Sequence, residues 1–172
     1  MSVETARIGE YLVRSGSSDD LLRIEALWLA LYEHQTRNGM LLDLPTDAFR
    51  HWTESVNPLL GRFACLFVAE KSEELVGFLV GRVRALPPYF GGTQAGFISE
   101  VYVAEADRGH GLGRKLVLTG TRWFQELGLK RIELQVIMNN TPARNLYRQL
   151  GWSEELVQMI WKPKIREVEQ DG

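Results

Sequence analysis

At 172 residues, 45% of them hydrophobic, the chain can bury one substantial core but is short for two full domains. Charged residues make up 24% and nearly cancel, to a formal net charge of -2, so no bulk field draws the chain to nucleic acid or anionic membranes. A single cysteine, Cys65, excludes a disulfide framework and a thiolate metal site. No window approaches the roughly 18 apolar residues of a membrane span, and the first residues carry no apolar leader. The expectation is one cytoplasmic domain over 1–172, with a core from about 11 to 162, a polar tail at 165–172 and no metal.

In chain order, 11–14 reads as a strand, and Ser17 to Asp20 is a cluster of capping residues that opens a long helix. Leu21, Ile24, Trp28 and Leu31 lie along one side of that helix, which runs to about Gly39. After Pro45 a second helix carries Phe49, Trp52, Val56 and Leu59, with Thr46 or Asp47 as its cap. The apolar runs 63–70 and 75–83 flank a polar turn and predict an antiparallel hairpin. A loop with Pro87, Pro88, Tyr89, Phe90, Gly91 and Gly92 follows. Next come a strand over 97–103, a helix over 113–127, a strand over 131–137 and a helix from Asn140-Thr141-Pro142 to Gly151. Residues 156–161 read as a closing strand, whose edge residues Met159, Ile160 and Trp161 suit pairing in a homodimer. The order predicts an α/β (α+β) fold, a mixed sheet flanked by helices.

The most informative stretch joins the strand at 97–103 to the next helix. Arg108, Gly109, His110, Gly111, Leu112, Gly113 and Arg114 form a glycine-dense loop running into a helix N-terminus. Unpaired N–H groups and the helix dipole favour an anion there, and glycines let it approach the backbone. A magnesium-nucleotide loop needs a Ser or Thr after Lys115, where Leu116 stands. A dinucleotide fingerprint needs G-x-G-x-x-G, and the spacing here is G-x-G-x-G. A glycine-rich helix start without a ligand is the plain alternative.

Arg108-x-x-Gly111-x-Gly113 resembles the Q/R-x-x-G-x-G/A signature of the GCN5-related N-acetyltransferases, in the expected strand-loop-helix setting. Asn140-x-x-Ala143-x-x-Leu146-Tyr147-x-x-x-Gly151-Trp152 is similar to a second segment of that family, with Trp152 in place of the commoner Phe. The likeness in element order runs from about 11 to 162. It implies a mostly antiparallel sheet that splays between its fourth and fifth strands, 97–103 and 131–137, and acetyl-coenzyme A as cosubstrate. The pantetheine arm would pair with the backbone of Val101, Tyr102 and Val103, and the pyrophosphate would meet the loop from Arg108 to Arg114. Asn140 and Ala143 would lie along the same arm.

Alternation along 97–103 places Ile98, Glu100 and Tyr102 on one face, and a carboxylate on an apolar strand is out of place. Glu100 is therefore the candidate base, with a satisfied structural carboxylate as the alternative. Under the resemblance, Tyr147 is the proton donor to the departing thiolate. Attack would be direct, in a ternary complex; Cys65 has no histidine arranged to activate it. A small-molecule primary amine is the expected acceptor, lined by Tyr89, Phe90 and His34. A protein amino terminus as acceptor, or a silent acyl-coenzyme A sensor, stands beside that reading.

Overall fold

The computed structural model describes residues 5–40 and 42–161, so the expected polar tail and residue 162 lie outside the described residues. Six strands form one open sheet in chain order: β1 (Ala6–Ile8), β2 (Tyr11–Ser15), β3 (Ala64–Lys71), β4 (Glu74–Ala85), β5 (Gln94–Val103) and β6 (Ile132–Leu134). Every junction is antiparallel except β5 with β6, which is parallel. Helices α1 (Ser18–Arg23), α2 (Glu25–Arg37) and α3 (Ala48–Val56) precede β3, α4 (Leu112–Glu126) joins β5 to β6, and α5 (Thr141–Gln149) follows. This is the mixed, mostly antiparallel α+β sheet that the sequence predicts.

Both faces of the central strands are apolar, and each face builds its own core. Leu66, Val68, Phe78 and Val80 meet Ile24 at the α1–α2 junction, Trp28 of α2, and Trp52 and Val56 of α3. Phe67 and Leu79, one residue out of phase, meet Leu116, Val117 and Phe124 of α4 and Tyr147 of α5. Side chains of this size contribute about 1.5–3 kcal/mol each when fully buried. Glycines set how closely α4 approaches. A Cβ on Gly96 would stand 2.5 Å from the Phe124 ring, and one on Gly120 would stand 2.8 Å from Leu79. Gly96→Ala is accordingly expected to lower stability by about 1–3 kcal/mol, read as a drop in the denaturant midpoint at unchanged slope.

Four local expectations need correction. The long first helix is broken: Ser17 and Asp20 form a capping box for α1, and Ile24, fully buried at φ -84° and ψ 5°, ends it before α2 begins. An additional strand, β1, folds back on β2 through Gly9 at φ 57°. The strand expected over 131–137 pairs only across Ile132–Leu134. The closing strand over 156–161 does not form. Three paired residues of β6 offer little template for it, and ion pairs from Glu154 to Arg144 and Arg148 tie the chain before it to α5. Met159, Ile160 and Trp161 are exposed without a strand, so the expected edge for pairing two copies is absent among the described residues.

Candidate active site

The site begins with one extra residue. Gly81 pairs with Ile98 and Val80 pairs with Glu100, which leaves Ser99 as a bulge in β5. A bulge adds twist and bends the strand that carries it. Ile98 is also the last residue of β5 that pairs with β6, so the two strands part where the bulge falls. Ala104 donates to Val76 O on the β4 side; by alternation, the N–H groups of Val103 and Val101 face the side that β6 has left. The sequence expectation that Ile98 and Glu100 share a face is thereby corrected. Ile98 packs in the α4 core and Tyr102 in the α2–α3 core, because the bulge inverts the alternation between them.

Glu100 is turned into the α2–α3 side and is only 7% exposed. Trp52 of α3 donates from Nε1 to Glu100 Oε1 at 3.0 Å, and Ser99 donates from its hydroxyl to Oε2. Burial pushes the carboxyl above its ordinary value, against the two hydrogen bonds and the more distant charge of Arg82, which favour the ionised form. Tyr32, on α2, feels the same carboxylate: burial first, and then Glu100, raise its phenol to about 12. His34 lies a half-turn further along α2, its ring 6.4 Å from Tyr102. Burial, Arg108 and Arg37 together hold its imidazole below the usual histidine value.

The glycine loop sits at the mouth of the parted strands. Gly109 and Gly111 hold φ of 84° and 79°, left-handed conformations that favour glycine, and a Cβ on either would meet only open space. Gly111 is the N-cap of α4 and no acidic residue stands in the first turn, so its free N–H groups face no carboxylate of that turn. Gly113 serves differently: it lies inside the helix, where a Cβ would touch Leu146 at 3.5 Å. From behind, Tyr11 donates to Asp107 Oδ1 at 3.1 Å and its ring lies 5.2 Å from that of His110. The His110 ring thus lies against Tyr11 of β2 while remaining exposed. Arg114 is exposed beside the first turn, whereas Arg108 folds back, donating from Nε to Val103 O at 3.0 Å and lying 5.3 Å over the Tyr102 ring.

Asn140 caps α5, accepting from Ala143 N at 3.2 Å. Tyr147 is 8% exposed, packed in the α4 core 6.2 Å from Trp152, and burial pushes its phenol up to about 12. Glu100 and Tyr147 therefore approach the opening from opposite faces of the sheet. Tyr89 and Phe90 are not brought there: their rings meet at a tilt with centroids 4.8 Å apart, exposed, in the turn between β4 and β5. By strand rise, the start of β5 is about 20 Å from Glu100. Cys65 is buried and its thiol is raised to about 12 by burial. At pH 8 it is expected to resist alkylation until denaturant is added, which mass spectrometry reads directly.

Trp52, Ser99, Tyr32 and Arg82 belong to this site and were not singled out for it by the sequence. Trp52 shows there only as one apolar position in a helix, and Ser99 only as an ordinary strand residue. Among the described residues no group of three or more His, Cys, Asp or Glu is placed to hold a metal, and no helix is long and apolar enough to cross a membrane.

A mixed sheet opened on one side of a bulged strand, with a helix N-terminus at the opening, is the architecture of the acyl-coenzyme A N-acyltransferases. The chain belongs to the acetyltransferase (GNAT) family, whose model matches residues 26–152. A mycothiol acetyltransferase of Amycolatopsis mediterranei is 39% identical over 166 residues, 89% of this chain and 52% of that protein. Another, from Renibacterium salmoninarum, is 34% identical over 138 residues, 75% of this chain and 37% of its own length. The chain thus spans about a third to a half of these relatives. Among solved structures, an aminoglycoside N-acetyltransferase in complex with CoA superposes with a TM-score of 0.70 at 17% identity, covering 94% of this chain and 97% of that one. At that identity the likeness is one of fold.

Proposed function

We propose that the chain is a single catalytic domain that transfers acetyl from acetyl-coenzyme A to a primary amine of a small molecule, by direct attack in a ternary complex. The observation that carries this reading is Glu100: a buried carboxyl with raised proton affinity, held by Trp52 and Ser99 where β5 parts from β6. Support for the cosubstrate comes from the two left-handed glycines, whose open side a Cβ would invade, and from the unpaired edge of β5. The Gly109–Arg114 backbone would receive the pyrophosphate, and the edge groups of Val101, with the Val103 carbonyl that also accepts from Arg108, the pantetheine amides. Asn140 and Ala143 would border the same arm.

In the reaction, Glu100 takes a proton from the arriving ammonium, directly or through one water, and the freed amine attacks the thioester carbonyl. A backbone N–H on the open edge, at Val103, stabilises the tetrahedral oxyanion. Collapse breaks the carbon–sulfur bond, and Tyr147, neutral because burial raises its phenol, donates to the departing thiolate and is reprotonated by the second proton that the new amide nitrogen sheds. The products are the N-acetyl amine and coenzyme A. His34, near Tyr102, borders the acceptor side; Tyr89 and Phe90 would reach it only by movement of their turn. Relatives named for mycothiol support a small-molecule acceptor over a protein amino terminus. A cytoplasmic setting agrees with a lone buried thiol. A homodimer is supported by the exposed apolar run ending at Trp161, and sedimentation tests it.

The test is to incubate the protein with acetyl-coenzyme A and a panel of amines and peptides while following free thiol. Acceptor-dependent release, greatest with small amines, is the expected result. Tight binding of acetyl-coenzyme A with no acceptor-dependent release would instead mark a silent acyl-coenzyme A sensor.

A further inference from the structure

Arg82 stands apart from the other arginines. Nine described arginines, Arg14 and Arg131 among them, have a carboxylate within 4.0 Å. Arg7, Arg62, Arg114 and Arg122 have none among the described residues, but they are exposed. Arg82 also has none and is half-buried, and its Nε is fully buried without a hydrogen-bond partner. Its two terminal nitrogens reach only Ser55 Oγ, both at 3.4 Å, the long limit of such a bond. That hydroxyl already spends its proton on Trp52 O at 2.7 Å. A half-buried cation held only by such long bonds is short of an acceptor, which could reach its terminal nitrogens but not the sealed Nε.

Its position says what that acceptor belongs to. Arg82 follows Val80 by one pleat, on the same face of β4, and Val80 is the residue that pairs with Glu100. One strand repeat separates them, about 7 Å. Tyr32 is near enough to feel both Glu100 and Arg82, and its hydroxyl makes no hydrogen bond to any described residue. A carboxylate that wants cations and a guanidinium that lacks an anion therefore face one neighbourhood, walled by α2 and α3.

Resting on the acetyltransferase reading above, we infer that the acceptor is an amino carboxylate: its amine meets Glu100 while its carboxylate receives the terminal Nη1 and Nη2 edge of Arg82. That edge of a guanidinium presents two parallel donors, the fork that matches a carboxylate. The Tyr32 hydroxyl supplies a further donor. The short span between Glu100 and Arg82 limits the acceptor to amine and carboxylate groups a few bonds apart, as in free amino acids and their close homologues.

The test compares amino acids with their carboxamides, at matched free-amine concentration, in wild type, Arg82→Gln and Arg82→Lys. Thiol release gives the rates, and calorimetry with acetyl-coenzyme A checks that each variant is folded. Wild type is expected to favour carboxylates by about 10- to 100-fold in kcat/KM. Arg82→Gln should collapse that ratio towards one at unchanged affinity for acetyl-coenzyme A, and Arg82→Lys should keep part of it. Should Arg82→Gln fail to fold, the wild-type ratio and the Lys variant still decide. Wild type acetylating carboxamides as well as carboxylates, or a ratio that survives in Arg82→Gln, overturns the assignment and leaves the transferase reading intact. No transfer to any amine overturns both.

Discussion

Glu100→Gln is expected to lower kcat/KM for acetyl transfer by about 10²- to 10³-fold, while affinity for acetyl-coenzyme A is retained. The amide is nearly isosteric and can still accept from Trp52, so the loss isolates proton removal from packing. The pH dependence is the sharper readout. In the wild type, activity should rise with pH as Glu100 ionises, and burial sets that limb above the ordinary carboxylate range. In the variant this limb should vanish. Stability should move the opposite way. A carboxyl raised in the folded state leaves the fold most stable below its unfolded value and costs stability as pH rises through the folded one. At neutral pH the variant is therefore expected to melt higher than the wild type. A pH–rate profile in Glu100→Gln with the wild-type acid limb intact would remove Glu100 as the base.

For Tyr147→Phe the expected change is a fall in kcat of about 10- to 100-fold at unchanged affinity for acetyl-coenzyme A. A thiolate is already a fair leaving group, so the donor contributes less than the base. Burial holds the phenol at about 12, so Tyr147 stays protonated across the working range. The variant should accordingly keep the shape of the wild-type profile and lose only its height. An alkaline limb that disappears in the variant would show the phenol titrating in the working range. Unchanged kcat would assign Tyr147 to packing beside Trp152 instead.

The two motifs that carry the family resemblance were legible because each is a local backbone requirement. Gly109 and Gly111 are needed for left-handed φ, and Asn140 for a cap on α5, and neither depends on distant parts of the chain. Period-two and period-3.6 patterns located the central strands and α3 to α5 for the same reason. What failed depended on partners. No pattern ends a helix at Ile24, whose side chain is buried in the same core as Trp28. Residues 156–161 have the composition of a strand, yet a strand needs an edge of matching length to bind, and β6 does not offer it. Tyr89 and Phe90 drew notice as aromatics in a glycine-rich turn, but their distance from Glu100 is set by the length of β5.

By itself the sequence determined that a glycine-dense helix start follows a buried strand, that a carboxylate interrupts that strand, and that α5 carries a tyrosine two turns beyond its cap. Each follows from residue type and spacing along one stretch of chain. Only the tertiary structure decided which way the carboxylate points and who holds it. The Ser99 bulge exists in the pairing of β5 with β4, not in either strand alone; it turns Glu100 to the helical side, where Trp52 meets it and Arg82 lies one pleat away. Side-chain direction in a sheet is a property of register, and register is fixed between strands.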